Sequence, residues 1–380
     1  MNGKELVLAA IRNQETPRAP WVPFVGCHAA KLIGVDAETY FKSADLIVQG
    51  MTAAVERYRP DGIPALFDLQ LEAEALGCSL QWAQSNPPAV ASHPLESGMK
   101  LADLKIPGEQ DGRFPIVLEA MRRLSASLGS EKALYGLITG PFTLALHLLG
   151  TEIFYQMIDD PANVHGLMEF ATQVGINTAR MFVEAGMEII AVVDPMTSQI
   201  SPDSFAEFVL PYMTRVFDAV HDLGKLGTLF VCGNTRNNIE VMCQCHADGL
   251  SIDENIPLDY VRDVCSRYGM SFGGNIKLTV SMLFGTPADN VDVVTLDSES
   301  CAPCQYMMEA VYQAARIFGE SIVYKEHKIK AKEGVVAMLK LGVTNVPTLV
   351  VDGKIRFVSI IPDETSLRKV LQTAMALKGL

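Results

Sequence analysis

Between Trp21 and Ile276 the chain alternates short apolar runs with amphipathic stretches, and no other feature limits its fold as strongly. Seven runs read as strands: residues 21–26, 61–69, 133–138, 188–193, 228–231, 249–252 and 270–276. Helical spacing lies between them, as in Val164, Leu167, Met168, Ala171, Val174 and Phe182. Strands that alternate with helices indicate a parallel α/β architecture. Periodicity alone fits a barrel and a doubly wound sheet equally, and no Gly-rich dinucleotide fingerprint chooses between them.

The polar residues that end these runs are the candidate site. In a βα-repeat protein the loops after the strands form the active face. Residues 225–255, KLGTLFVCGNTRNNIEVMCQCHADGLSIDEN, read strand, loop, helix, strand. Cys232 follows the first strand, and Asp253 and Glu254 follow the second. Cys243, Cys245 and His246 are expected on the connecting helix. His28, Asp194, Asp253, Glu254 and Asn275 all stand at strand ends and are expected to line a substrate pocket. Cys27, His28 and Cys232 would make a metal site there, or else a packed thiol and a hydrogen-bonded ring. His147, on an apolar helix face, reads as a satisfied core histidine. Ser201-Pro202-Asp203 is a helix start, and Pro211 should kink that helix.

With 49% hydrophobic and 20% charged residues, the chain can build a large core. A net charge of −13 argues against a general nucleic-acid binder, which needs a basic footprint. No apolar run reaches the length of a membrane span, and the N-terminus reads as an amphipathic helix rather than a signal peptide. A cytoplasmic protein is expected. Its eight scattered cysteines are then free thiols, metal ligands or catalytic pairs.

After Gly285-Thr286-Pro287 the character changes. A strand over 290–296 leads into Cys301-Ala302-Pro303-Cys304 and a helix to Phe318. Strand, helix, strand, an Asp352-Gly353 turn, strand and helix follow. The order βαβαββα is a complete small domain. A CxxC that opens a helix favours an anionic sulfur on its first cysteine. Pro347, just before a strand, is expected to be a cis proline opposite the pair. A zinc half-site is the alternative reading of the CxxC.

The run from CAPC to GVTNVPTLVVDGKI resembles the thioredoxin family. That resemblance implies Cys301 as attacking thiol, Cys304 as resolving thiol and Pro347 as the residue beside them. The preceding part resembles the uroporphyrinogen decarboxylase superfamily in KELVLAAIRNQETPRAPWVPFVG, Gly140-Pro141-Phe142-Thr143, VDPMTSQISPDSFAEFVLPY and GGNIKLTVSMLFGTPADNV. Within it, CGNTRNNIEVMCQCHADGLSIDEN is most similar to the methylcobamide:coenzyme M methyltransferases. The resemblance implies a (β/α)8 TIM barrel with its site at the C-terminal mouth. It also implies zinc held by a His-x-Cys and a later cysteine, and a methyl group carried by a corrinoid.

The sequence departs from that pattern twice. Phe230 stands where the histidine belongs, so only Cys232 carries over, and the last strand with its cysteine is replaced by the CxxC domain. The arginine-rich motif of true decarboxylases is missing from 21–28. The reading is therefore a TIM barrel over 1–288, without its last strand, fused to a thioredoxin-like domain over 289–380. Its expected function is corrinoid- or thiol-linked methyl transfer with an appended dithiol. A thiol-disulfide oxidoreductase with the barrel as binding module is the alternative. Zinc and a corrinoid protein or small thiol are the implied cofactor and partners, with no nucleotide cofactor. An open barrel exposes two strand edges, so a homo-oligomer or the small domain is expected to cover them.

Overall fold

The computed structural model describes residues 1–253, 256–274, 291–318 and 324–376. They form two compact units, one from Met1–Val231 and Thr235–Gly274 and one that groups Cys232–Asn234 with the chain from Val291 onward. In the first unit a parallel sheet runs in the order β1 (Gly62–Pro64), β4 (Ala133–Thr139), β5 (Ile189–Val193), β6 (Leu226–Val231), β7 (Gly249–Ile252) and β8 (Ser271–Gly273). Between β1 and β4 the chain makes a short antiparallel hairpin, β2 (Leu80–Gln81) with β3 (Ala89–Val90). Every strand of the sheet pairs with its sequence neighbour, the order of a TIM-type barrel wall.

β4 and β5 are buried along their whole length, as expected of parallel strands covered on both faces. Alternation then sorts their side chains. Leu134, Ile138, Ile190 and Val192 point into the core shared with the surrounding helices. Ala133, Tyr135, Leu137, Ile189, Ala191 and Val193 form a second, inner core. Val7 and Ile11 join that inner core from the first helix, Gly3–Ile11. Their four-residue spacing puts both on one helix face, and an Asn2–Glu5 capping box fixes where the helix begins.

Three expectations change. Residues 21–26 are not a strand: Pro20 and Pro23 have no N–H to give a ladder. The segment is tied instead by Trp21 N to the Asp61 carboxylate and by Asp61 N to the Trp21 carbonyl. The helix carrying Pro211 is not kinked but divided, into Pro202–Phe208 and Leu210–Asp222, with Val209 at φ −118° between them. Pro211 then lies in a first turn, where its missing N–H is no loss. The helix after β6 spans only Ile239–Met242, so Cys243 caps it and Cys245 and His246 follow it.

The second unit holds a four-stranded sheet in the order β10 (Tyr324–Lys328), β9 (Val291–Thr295), β11 (Thr348–Val351), β12 (Lys354–Val358). β9 and β10 are parallel, while β11 runs antiparallel to both β9 and β12. Helices Ala302–Phe318, Lys332–Lys340 and Glu364–Ala376 complete the βαβαββα order. Val291, Val293, Leu349 and Val351 pack on Met307, Val311, Leu367 and Leu371. Asp352 and Gly353 both take positive φ, 50° and 70°, in the tight turn joining β11 to β12.

One glycine marks a tightly built point beside the strand ends. A Cβ on Gly140, after β4, would lie 2.3 Å from Asp194 Cβ and 2.4 Å from Asp194 Oδ2. Gly140→Ala is therefore expected to lower unfolding free energy by about 1–3 kcal/mol in urea titration, the usual cost of overpacking. An unchanged midpoint would show that the contact is not rigid.

Candidate active site

The register sets Thr139, Val193, Phe230, Ser251 and Gly273 side by side across five strands. Beyond this row the chain leaves each strand at its C-terminal end. Asp194 follows β5, Cys232 follows β6 and Asp253 follows β7. Cys232 is half-buried, and Gly233 at φ 91° turns the chain immediately after it. Phe230, two residues before Cys232, meets the ring of Phe24 edge-on at 5.5 Å. Phe24 also lies 6.0 Å from Phe67 and 6.0 Å from Tyr135. The position of the absent histidine is thus part of an aromatic cluster.

Asp194 is fully buried and serves a helix. Its Oδ1 accepts from Thr143 N at 2.8 Å and from Thr143 Oγ1 at 2.6 Å, and its Oδ2 accepts from Phe142 N at 3.1 Å. Those two amides belong to the first turn of Pro141–Leu149, where N–H groups lack intrahelical partners and the dipole favours an anion. Gly140-Pro141-Phe142-Thr143 therefore reads physically. Gly140 makes room for Asp194, Pro141 starts the helix, and the next two residues bind the carboxylate. Burial outweighs these bonds and pushes the Asp194 carboxyl up to about 6. With both oxygens engaged, Asp194 anchors the start of the helix Pro141–Leu149.

Glu72, which sequence reasoning missed, is a second buried acid at this end of the sheet. Its Oε1 accepts from Thr139 N at 3.0 Å. Thr139 Oγ1 lies 2.9 Å from both Glu72 Oε2 and the Leu69 carbonyl. One hydroxyl hydrogen cannot serve both oxygens. A protonated Glu72 resolves this, donating to Thr139 Oγ1 while Thr139 donates to Leu69. Burial pushes the Glu72 carboxyl up to about 7, consistent with that proton.

Arg113, also missed, holds the loop after β1. It gives Nη1 to Asp68 Oδ2 and Nε to Glu74 Oε2, each at 2.6 Å. Its guanidinium lies 5.1 Å from the Trp82 ring. Asp68 Oδ1 accepts from Gln70 N at 2.9 Å. Asp68 is thus bonded through both oxygens. The signal for this network was the spacing of acids in Asp68–Glu74, DLQLEAE.

The other candidate residues are placed as follows. His28 is exposed, its Nε2 2.6 Å from the Tyr58 hydroxyl, and burial on one side with Lys31 and Arg57 lowers its pKa. Cys27 is a packed thiol whose pKa burial pushes up to about 12. Asp253 is buried at the end of β7, and Glu254 and Asn275 lie outside the described residues. Among the described residues no three His, Cys, Asp or Glu side chains gather in a way that could hold a metal. The donor set does not fit the family's zinc, because Phe230 offers no ligand atom.

His147 is not satisfied as expected. Its carbonyl accepts from Cys78 Sγ and His93 Nδ1, but its own Nδ1 is buried without a partner. Burial, with His93 nearby, pushes the ring down to about 4, which keeps it neutral. His246 is exposed and bonded to Asp218 at 2.8 Å.

In the second unit Cys301 and Cys304 form a disulfide at the start of Ala302–Phe318. Cys301 N donates to the Asp297 carbonyl at 2.9 Å, and Leu296 N donates to Cys304 Sγ at 3.3 Å. The Val346–Pro347 bond is cis. Thr348 pairs with Val294, so Pro347 stands level with the end of β9 from which the CAPC loop leaves. Asp297 accepts from Lys330 and Lys328, and Lys330 Nζ also reaches Ser300 Oγ at 2.8 Å. Lys330 thus reaches the residue before Cys301, while Asp297 and Glu299 take up the charges of Lys330 and Lys328.

The proton on Glu72 has a measurable consequence. Its folded pKa, about 7, lies above the ordinary 4.5. The stability it contributes is complete below pH 4.5 and is lost as pH rises through 7. Glu72→Gln keeps a matching donor and acceptor but cannot ionise. From pH 5 to roughly pH 8 the variant should gain about 3 kcal/mol on the wild type in chemical denaturation. Parallel profiles for the two proteins would refute a protonated Glu72.

Comparison with known proteins agrees with this geometry. Residues 2–295 match the uroporphyrinogen decarboxylase (URO-D) family, and residues 290–372 match a thioredoxin domain. The methylcobamide:CoM methyltransferase MtbA of Methanosarcina acetivorans is 27% identical over 293 residues, 75% of this chain and 86% of that protein. The methylated-thiol–coenzyme M methyltransferase of Methanosarcina mazei is 30% identical over 240 residues, 62% of this chain and 64% of the relative. A solved methyltransferase from Methanosarcina mazei shares the fold, with TM-score 0.67 and 22% identity over 89% of this chain and 97% of its own. The two family matches overlap in β9, which pairs with β10 and β11 in the small sheet. A buried acid at the end of each of several barrel strands, an aromatic in the inner row and a CAPC helix start therefore sit in a chain that belongs to the uroporphyrinogen decarboxylase family and continues into a thioredoxin domain.

Proposed function

We propose that this chain is a corrinoid- or thiol-linked methyltransferase whose reaction takes place at the C-terminal ends of the barrel strands. The observation that carries the reading is a cysteine, Cys232, at the end of β6 in a chain whose relatives include methylcobamide:CoM methyltransferases. A thiolate attacks the methyl carbon, an S–C bond forms, and the Co–C bond breaks with its electron pair left on cobalt. The corrinoid is a substrate on a partner protein, and the acceptor is a small thiol or Cys232 itself. No step is assigned to zinc, for the ligand set does not suit it. Asp253, at the end of β7, remains a candidate for substrate contact, as do His28, Asp194, Glu254 and Asn275 from the sequence reading.

The CAPC disulfide supports a second reading, a thiol-disulfide oxidoreductase with the barrel as a binding module. Cys301 attacks, Cys304 resolves, and Pro347 lines the approach. We set the boundary between the two functions at 288/289. The protein works in the cytoplasm, a reducing compartment in which thiols persist. It works as a homo-oligomer, because among the described residues the barrel sheet ends on the edges of β1 and β8. A monomer in sedimentation would contradict that last point.

Full-length protein mixed with methylcobalamin and excess thiol should convert the methylated corrinoid spectrum to the demethylated one. Cys232→Ala should slow this at least tenfold, and Cys301→Ser should leave it unchanged. No spectral change with any thiol, together with reduction of a disulfide substrate that is lost in Cys301→Ser, would favour the oxidoreductase.

A further inference from the structure

A second pair of sulfurs lies in the first unit, away from the strand ends. Cys243 caps the short helix Ile239–Met242, and Cys265 belongs to the helix Leu258–Arg267. Their Sγ atoms are 3.9 Å apart, within hydrogen-bonding distance for sulfur. Both residues are buried, yet Cys243 lines a cavity of about 460 Å³ together with Arg12, His246, Asp248, Tyr268 and Met270. The cavity gives a small molecule or an extended side chain a route to one sulfur of the pair.

The neighbourhood suits sulfur exchange better than metal binding. His246 is bonded to Asp218 and His221 to Asp248, so neither ring is aimed at the thiols by its hydrogen bond. Among the described residues no metal-holding group of three forms here. The contact between the thiols, together with burial, raises the Cys243 pKa and the contact lowers that of Cys265, so the shared proton rests on Cys243 and can pass to Cys265. A proton shared between two sulfurs leaves one of them ready to attack.

We propose that Cys243 and Cys265 are a second redox dithiol, which is oxidised by a disulfide that enters through this cavity. The proton of Cys243 passes to Cys265, and the Cys243 thiolate attacks one sulfur of the incoming disulfide. That S–S bond breaks, a mixed disulfide forms on Cys243, and the leaving thiolate takes the proton from Cys265. Cys265 then attacks the Cys243 sulfur, the second thiolate leaves, and a Cys243–Cys265 disulfide results. Two electrons pass from the dithiol to the disulfide, and no other oxidant takes part. Closing the pair requires the sulfurs to approach from 3.9 Å to bonding distance, about 2 Å, by side-chain rotation. The incoming disulfide is either a free small molecule or a CAPC disulfide of the kind this chain carries.

Mass mapping of disulfides on the native full chain tests the proposal. In Cys301→Ser/Cys304→Ser protein, a small aliphatic disulfide should produce a Cys243–Cys265 cross-linked peptide and remove two titratable thiols per chain. Dithiothreitol should reverse both changes. In wild-type protein with Cys301–Cys304 oxidised and no added disulfide, appearance of the same cross-link as the CAPC pair becomes reduced would identify CAPC as the oxidant. Its absence there, with reaction in the first experiment, would identify a free disulfide. Cys265→Ala should stop the first reaction at a stable mixed disulfide on Cys243. The proposal is overturned if both thiols stay free in the two native experiments, or if the cross-link forms only after denaturation. Methyl transfer is read separately from the corrinoid spectrum, so either result stands apart from the barrel's proposed activity.

Discussion

The capture of a helix N-terminus by Asp194 is the contact on which the candidate site depends. It joins the end of β5 to the start of the helix that follows β4. The fit is close enough that only glycine is accommodated at position 140. Because the carboxylate meets backbone amides, the contact orients a whole helix and not merely a side chain. The Glu72–Thr139 bonds fasten the next loop to the end of β4 in the same way. The Arg113–Asp68 pair, buried on both sides, then fixes the loop after β1. Loss of one partner in such a pair leaves an uncompensated charge, so each of these contacts resists change more than its net worth suggests.

This framework leaves little polar chemistry in the inner row itself. Phe230, Val193 and Thr139 are neighbours in register, and Phe230 is engaged with Phe24. An aromatic ring here excludes water and supplies no donor to a metal. The proposed chemistry rests on sulfur: Cys232 stands at a strand end, the Cys301–Cys304 pair at a helix start, and the Cys243–Cys265 pair beside a cavity.

Local signals explain which features were legible in the sequence. The helical stripe of Val164, Leu167, Met168, Ala171, Val174 and Phe182 was legible, and all six lie buried on one helix, Pro161–Glu184. The βαβαββα order and the cis Val346–Pro347 bond were equally plain, since strand, CAPC, helix and turn are all short-range patterns. The strand expected at 21–26 failed because apolar content outweighed two prolines in the reading. Asp194 was placed correctly at a strand end, but its partners Phe142 and Thr143 are distant in sequence, so its capping role was hidden. Glu72 carried no signal of a site residue. Its burial is set by Thr139, a contact that no local pattern records.

The central claim is that this barrel has given up the family's metal-binding position and relies on thiols alone. Zinc content of Cys301→Ser/Cys304→Ser protein purified without chelator tests it most directly, because that variant removes the CAPC thiols as competing ligands. The account predicts less than a tenth of an equivalent of zinc per chain after gel filtration. About one equivalent, lost on Cys232→Ala, would contradict it, for it would mean that Cys232 recruits other ligands in place of Phe230.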